Sequence, residues 1–264
     1  MQIHNTKQQN MYTKAIKSVL ICSILVFAGC SSHSDKADCG NNSARTENKN
    51  AVLLKDFPTL QQTTDYTCGN AASLMVMKFF GDSSETESSL AEKMHTHTDS
   101  QTPGAKPGSA KQWTDYGTSV GEIYNYFLKN KNYRIVFSSY DNKNSLLTDT
   151  SAVGIQAVNN KKPEFADYGK AAKFFADNIR NGRPVMVCWN AWGGHWTVCI
   201  GYDDNRTADF FDDDVLTMAD PYDTTDGIQD GYTKVPLVQF FYDWFCTMTP
   251  KPYQLQPYIV VEKR

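Results

Sequence analysis

Cys68 is followed by Gly69 and preceded by a polar run rich in turn formers, Thr59-Leu60-Gln61-Gln62-Thr63-Thr64-Asp65-Tyr66-Thr67. Directly after it, Asn70-Ala71-Ala72-Ser73-Leu74-Met75-Val76-Met77-Lys78-Phe79-Phe80 reads as an apolar helix stopped by Gly81. Cys68 therefore falls at or beside a helix N-terminus, where unpaired N–H groups and the macrodipole favour an anion. A thiol in such a place ionises more readily, and the thiolate is the nucleophile. His195 opens an apolar run just after Gly193-Gly194, and Asp220 closes the next such run ahead of Pro221. If those two runs are neighbouring strands, their ends bring Asp220 beside the imidazole.

Each residue type then has a task. Cys68 attacks a carbonyl, and His195 takes its proton and returns one to the leaving group. Asp220 holds the imidazole tautomer and steadies the imidazolium. Gln62, six positions before Cys68, joins a backbone N–H in receiving the oxyanion. Plainer readings stand beside these. Free cysteine is among the most buried residue types, so Cys68 could be a small core residue. Asp220 could serve only to cap the turn before Pro221.

Four motifs occur in this order: Gln-x5-Cys-Gly-x-Ala-Ala from Gln62, Gly-x-Pro-Val from Gly182, Gly-His-Trp-x-Val-x-x-Gly-Tyr-Asp from Gly194, and Ala-Asp-Pro from Ala219. Together they resemble the papain-like cysteine peptidases of the bacteriocin-processing-peptidase-like group, from about Phe57 to Phe245. Gly117-Thr118-Ser119 at a helix start fits as well. The resemblance implies Cys68 as nucleophile, His195 as base, Asp220 as orienting acid and Gln62 in the oxyanion hole. It also implies a papain-like α+β fold, with Cys at a helix start packed on an antiparallel sheet that carries His and Asp. Asn70 stands where proline is common in the group, which touches packing and not chemistry. Relatives fused to transporters cut after a double glycine in a leader peptide; this sequence encodes no transporter, so that substrate does not carry over.

The elements that would position these groups are readable in outline. Glu85–Met94 reads as a helix. Residues 95–118 form a long loop, a length often tied to function. His95 and His97 within it lack an acidic or Cys partner at ligand spacing, so no metal is expected. Ser119–Lys129 is amphipathic, with Val120, Ile123, Tyr124, Phe127 and Leu128 on one face. Tyr133–Phe137 reads as a strand. Tyr168–Arg180 is a helix ended by Asn181-Gly182. Pro184–Asn190 and His195–Asp203 form a hairpin around Ala191-Trp192-Gly193-Gly194. Pairing Asn190 with His195 would set Cys188 opposite Thr197 and Cys199 diagonal to it. That is poor disulfide geometry, so Cys188, Cys199 and Cys246 are expected as buried thiols. Val215–Met218 and Tyr258–Glu262 are strands, and Val235–Phe245 is an aromatic helix. The aspartates between 203 and 230 lack the alternate spacing and closing Glu of a calcium loop.

The N-terminal end reads as targeting sequence. Lys14 and Lys17 flank the short apolar run Ser18–Phe27, and Ala28-Gly29 precede Cys30. Leu-Val-Phe-Ala-Gly-Cys resembles a bacterial lipobox, with Phe27 where Leu is usual; Cys30 would then be lipidated. Translation could start at Met1 or Met11. A tether follows, and its reach from Ser31 to Val52 is on the order of 25 Å as a coil. Cys39 in it is a bystander or pairs with a second chain. Losing residues 1–29, with Lys7, Lys14, Lys17 and no acid, moves the formal net charge from −3 to −6. That balance speaks against a partner that tracks nucleic-acid phosphates.

The expected organisation is a signal peptide over 1–29, a lipidated Cys and tether over 30–52, and a papain-like domain over 53–264. The expected activity is thiol hydrolysis of a peptide or protein substrate at the cell envelope, with the membrane met through the lipid and no cofactor. Two alternatives remain open: an acyltransferase or transpeptidase using the same residues with an amine acceptor, and a non-catalytic peptide-binding module.

Overall fold

A computed structural model describes residues 51–97, 117–140, 165–191, 194–223, 226–246 and 255–264. The targeting segment, Cys30, Cys39 and most of the long loop after His97 lie outside them.

The architecture grows from one strand. His195–Asp203 (β4) is rich in β-branched and aromatic residues and is buried along nearly its whole length. The strands in chain order are Val52–Leu53 (β1), Tyr133–Ser138 (β2), Val185–Trp189 (β3), β4, Val215–Ala219 (β5), Tyr232–Pro236 (β6) and Tyr258–Lys263 (β7). They form one seven-stranded antiparallel sheet in the order β2-β7-β3-β4-β5-β6, with β1 also paired to β4. β1 meets the far end of β4, Val52 opposite Tyr202 and Leu53 opposite Gly201. A bulge at Ile200 shifts the β4–β5 register there. A Cβ on Gly201 would lie 2.8 Å from both Leu53 Cδ1 and Thr217 Cβ, so only glycine lets β1 and β5 close in from both sides.

Five α-helices are described: Cys68–Phe79 (α1), Glu87–Lys93 (α2), Val120–Lys129 (α3), Tyr168–Arg180 (α4) and Leu237–Asp243 (α5). α1 lies on the sheet face carrying Met186, whose sulfur accepts from Ser73. α4 and α5 cover the other face, where Phe174 packs on Tyr258 at 5.0 Å and Phe240 on Trp189 at 5.7 Å. With helices on both sides, β3 and β4 are buried on both faces, and β3 reads as an unbroken apolar run. α1 is buried on every side from Cys68 to Met77, as its all-round apolar sequence requires.

Most sequence-derived elements stand, with four corrections. Trp189, not Asn190, pairs with His195, so Cys188 faces Trp196 and Cys199 faces Val185. The reason lies outside the hairpin: the Asn190 backbone N–H is taken by the Asp243 carbonyl at 2.8 Å and is lost to the ladder. A one-residue slip turns every side chain to the other face, so Cys188 and Cys199 project from opposite faces. The cysteines that are described, Cys68, Cys188, Cys199 and Cys246, are free and buried. Second, the expected helix over Val235–Phe245 divides into β6 and the shorter α5, because residues up to Pro236 alternate buried and exposed and Leu237 N–H then binds the Asp214 carbonyl at 2.8 Å. Third, Leu128 is exposed at the end of α3. Fourth, His97 has an acidic partner after all: its Nε2 lies 2.9 Å from Glu122 Oε1, brought in from α3 rather than from nearby sequence.

Candidate active site

Cys68 is the first residue of α1, and the N-terminus it occupies is bare. Thr67, at the N-cap, makes no side-chain capping bond, and the first turn holds no acidic residue. The Thr67 hydroxyl is drawn away to Glu87 and to Thr64. The positive end of α1 is therefore left to the thiol.

His195 opens β4. Ala219, the last residue of β5, pairs with Val198, so Asp220 falls opposite Thr197 with His195 as its diagonal neighbour. Diagonal side chains of this length meet, and His195 Nε2 lies 2.7 Å from Asp220 Oδ1. Nε2 being committed there, Nδ1 is the ring nitrogen left for Cys68, whose side chain interacts with the imidazole strongly enough to raise its pKa. The structure thus brings Cys68, His195 and Asp220 together, all three buried.

The charges follow from these contacts. Burial alone would lower the His195 pKa, but hydrogen bonds to Asp220 and Cys68 outweigh it and push it up to about 10. Burial alone would raise Asp220; its bonds to His195 and to two backbone N–H groups hold the carboxyl below its usual value instead. Those N–H groups belong to Tyr222, at 2.8 Å, and Asp223, at 3.2 Å, and both reach the same Oδ1. Capping the turn and orienting the imidazole are one arrangement, not rival explanations of Asp220.

Gln62 is placed against this turn by its backbone, whose N–H donates to the Pro221 carbonyl at 2.8 Å. Its side-chain Nε2 donates one hydrogen to the Thr64 carbonyl at 2.7 Å, and Oε1 is buried without a hydrogen-bond partner. Tyr222, which the sequence reading passed over, sets its ring edge-on to His195 with centroids 6.3 Å apart. An aromatic residue two places after a candidate acid was the available signal. Behind the site, burial pushes the Cys188 thiol well up, helped by a hydrogen bond with Cys246. Among the described residues no group of three or more His, Cys, Asp or Glu could hold a metal ion.

A thiol coupled to an imidazole, with a carboxylate behind the ring, is the arrangement expected of a papain-like cysteine peptidase. A model of the Peptidase_C39 like family matches residues 54–245, most of the chain, and the protein belongs to that family. Its α+β sheet and helices are those of a C39-like, papain-type fold. A crystal structure of a Bacillus anthracis protein, described as a C39-like peptidase, aligns over 81% of this chain and 98% of its own, with 16% identity and a TM-score of 0.48. No curated protein sequence matches the chain.

Proposed function

We propose that the protein is a lipid-anchored cysteine peptidase that hydrolyses peptide bonds through Cys68, His195 and Asp220. The observation that carries the reading is the imidazole held 2.7 Å from a buried carboxylate and electrostatically coupled to Cys68, which sits at the uncapped start of α1.

In this reading the reaction starts from the form in which the Cys68 proton rests on His195, whose pKa is pushed up to about 10. The sulfur attacks the scissile carbonyl carbon, and the carbonyl π electrons move to oxygen. Two donors are suited to that oxyanion: the second hydrogen of Gln62 Nε2, and the Cys68 backbone N–H, one of the first-turn donors a helix leaves without an intrahelical acceptor. When the tetrahedral adduct collapses, the C–N bond breaks and the amine leaves with the proton from His195 Nδ1. A thioester remains. Neutral His195 then takes a proton from water, hydroxide adds to the acyl carbon, and the thiolate departs. Asp220 keeps Nε2 protonated throughout and so keeps Nδ1 turned to sulfur.

The test is incubation of a peptide library with the mature protein and with Cys68→Ala, read by mass spectrometry. Fragments that depend on Cys68 and gain one water are expected. New amides formed when amines are added would assign acyl transfer, and no Cys68-dependent product would leave a binding module. The anchor is tested separately. Labelled fatty acid should appear on the mature protein and vanish in Cys30→Ala, whereas an unlabelled wild type would remove the anchor from the reading.

A further inference from the structure

Thr118 reaches both halves of the site. Its hydroxyl lies 2.9 Å from Thr96 Oγ1 and 3.3 Å from Asn70 Oδ1, and Thr96 Oγ1 donates to the same Asn70 oxygen over 3.0 Å. Its carbonyl accepts the indole N–H of Trp196 at 2.8 Å. Asn70 is two residues after Cys68, and Trp196 directly follows His195. Asn70 and Thr96 are completely buried and Thr118 nearly so.

Two hydroxyl protons serve the three edges of the Thr118–Thr96–Asn70 triangle. The two shorter edges carry a chain from Thr118 to Thr96 to Asn70, and Asn70 Nδ2 closes onto Met94 Sδ at 3.4 Å. No polar side-chain atom of the triangle lacks a partner, and a satisfied buried network is stiff. Packing adds to it. A Cβ on Gly69 would lie 3.0 Å from Thr118 Cβ and 3.1 Å from Trp196 Cδ1. The turn that carries Cys68 is therefore pressed against the same two residues, and a side chain in place of the glycine after the cysteine would crowd them. Asn70, which departs from the usual proline, supplies the acceptor on which the network converges.

We propose that Thr118 is a positioning residue that holds nucleophile and base as one unit, gripping α1 through Asn70 and β4 through Trp196. The proposal rests on the reading of Cys68 and His195 as that pair. A thiol and an imidazole must keep their spacing to within a fraction of an ångström, since about 1 Å of misplacement costs roughly 10²-fold. A merely structural Thr118 would matter through its volume, and a positioning Thr118 through its hydroxyl.

Thr118→Val keeps the shape and deletes the hydroxyl; Thr118→Ser keeps the hydroxyl and deletes a methyl. The measurement is the iodoacetamide alkylation rate of Cys68 at pH 6 divided by that at pH 9, by peptide mass mapping, with melting temperatures alongside. At pH 9 thiols ionise without help, so the ratio reads the imidazole contact. Thr118→Val should lower the ratio about fivefold to tenfold, the scale of one lost hydrogen bond, with Thr118→Ser within about twofold of wild type. If Thr118→Val does not fold, Trp196→Phe, which removes the donor to the Thr118 carbonyl together with part of the buried ring, should lower the ratio similarly. A wild-type ratio in Thr118→Val, or a lower ratio in Thr118→Ser than in Thr118→Val, overturns the proposal while leaving the nucleophile assignment intact. A wild-type Cys68 no faster at pH 6 than in His195→Ala removes that assignment and the proposal with it.

Discussion

The first turns of α1 and α3 are built from similar residues and end in opposite states. α3 begins at a serine whose hydroxyl accepts the Glu122 N–H, while the Glu122 carboxylate returns to the Ser119 N–H at 2.6 Å. Glu122 also holds His97. α1 begins at a threonine that caps nothing, and its third position, where α3 has Glu122, holds the neutral Asn70 with its side chain turned into the buried network. One helix spends its positive end on its own stability. The other keeps that end open for a sulfur. An unsatisfied helix start forfeits about 1 kcal/mol of cap, and here the forfeited stabilisation lies beside the sulfur to which the proposed mechanism assigns negative charge.

The largest expected break in this contrast comes from the imidazole. His195→Ala leaves the helix end open but removes the proton carrier, so kcat/KM on any peptide cleaved by the wild type should fall by roughly 10²–10⁴. A loss under tenfold would show that the helix end alone activates the thiol. Gln62→Ala should come next, lowering kcat by roughly 10²–10³ with little change in melting temperature.

The pH response sharpens the same point. The folded pKa of His195, about 10, lies above its ordinary 6.5. Its stabilising contribution is thus complete below about 6.5 and is lost as pH rises toward 10. Asp220 is depressed, so its contribution is present above the ordinary carboxylate range and is lost as pH falls through its folded value. Denaturant unfolding of the wild type should weaken between pH 7 and 10. Asp220→Asn should flatten that slope, because burial then acts on the ring without a carboxylate against it; an unchanged slope would place the stabilising charge elsewhere.

A smaller effect tests the helix ends directly. Asn70→Asp puts an acid at the third position of α1, as α3 has, and should slow Cys68 alkylation at pH 6 by several-fold, up to about tenfold, from the helix-end charge. The smallest is Ser119→Ala, which should cost about 1 kcal/mol of stability and leave the alkylation rate alone. Equal sensitivity of the alkylation rate to both substitutions would erase the contrast.

The site was largely legible because its members stand at element boundaries, which sequence marks well. Gly81 and Asn181-Gly182 end their helices where expected, and Cys68, His195 and Asp220 each begin or follow a regular element. What escaped depended on partners distant in the chain. The hairpin register was decided by the Asp243 carbonyl holding Asn190, 53 positions away, and no feature of residues 184–203 encodes that. The acidic partner of His97 came from another helix. The bare N-cap of α1 could not be foreseen from Thr67, a good capping residue, because Glu87 draws its hydroxyl elsewhere. β1 was missed because two residues carry no periodicity; only the bulge and glycine of β4 make room for it.

That short strand has a mechanical consequence. The described chain joins the sheet at Val52, opposite Tyr202, seven residues along β4 from His195 and so roughly 20 Å away at strand spacing. A pull arriving along the backbone from residue 51 would load β1 first, with the Leu54 N–H on the Ile200 carbonyl at 2.9 Å and the buried Leu54 side chain directly behind it. The next stretch is fastened more firmly, by Tyr232 Oη to the Phe57 carbonyl at 2.6 Å, Thr59 Oγ1 to the Asp230 carbonyl at 3.1 Å and Gln62 N–H to the Pro221 carbonyl. Load along the backbone would therefore reach β1 before it reaches the segment leading to Gln62 and Cys68.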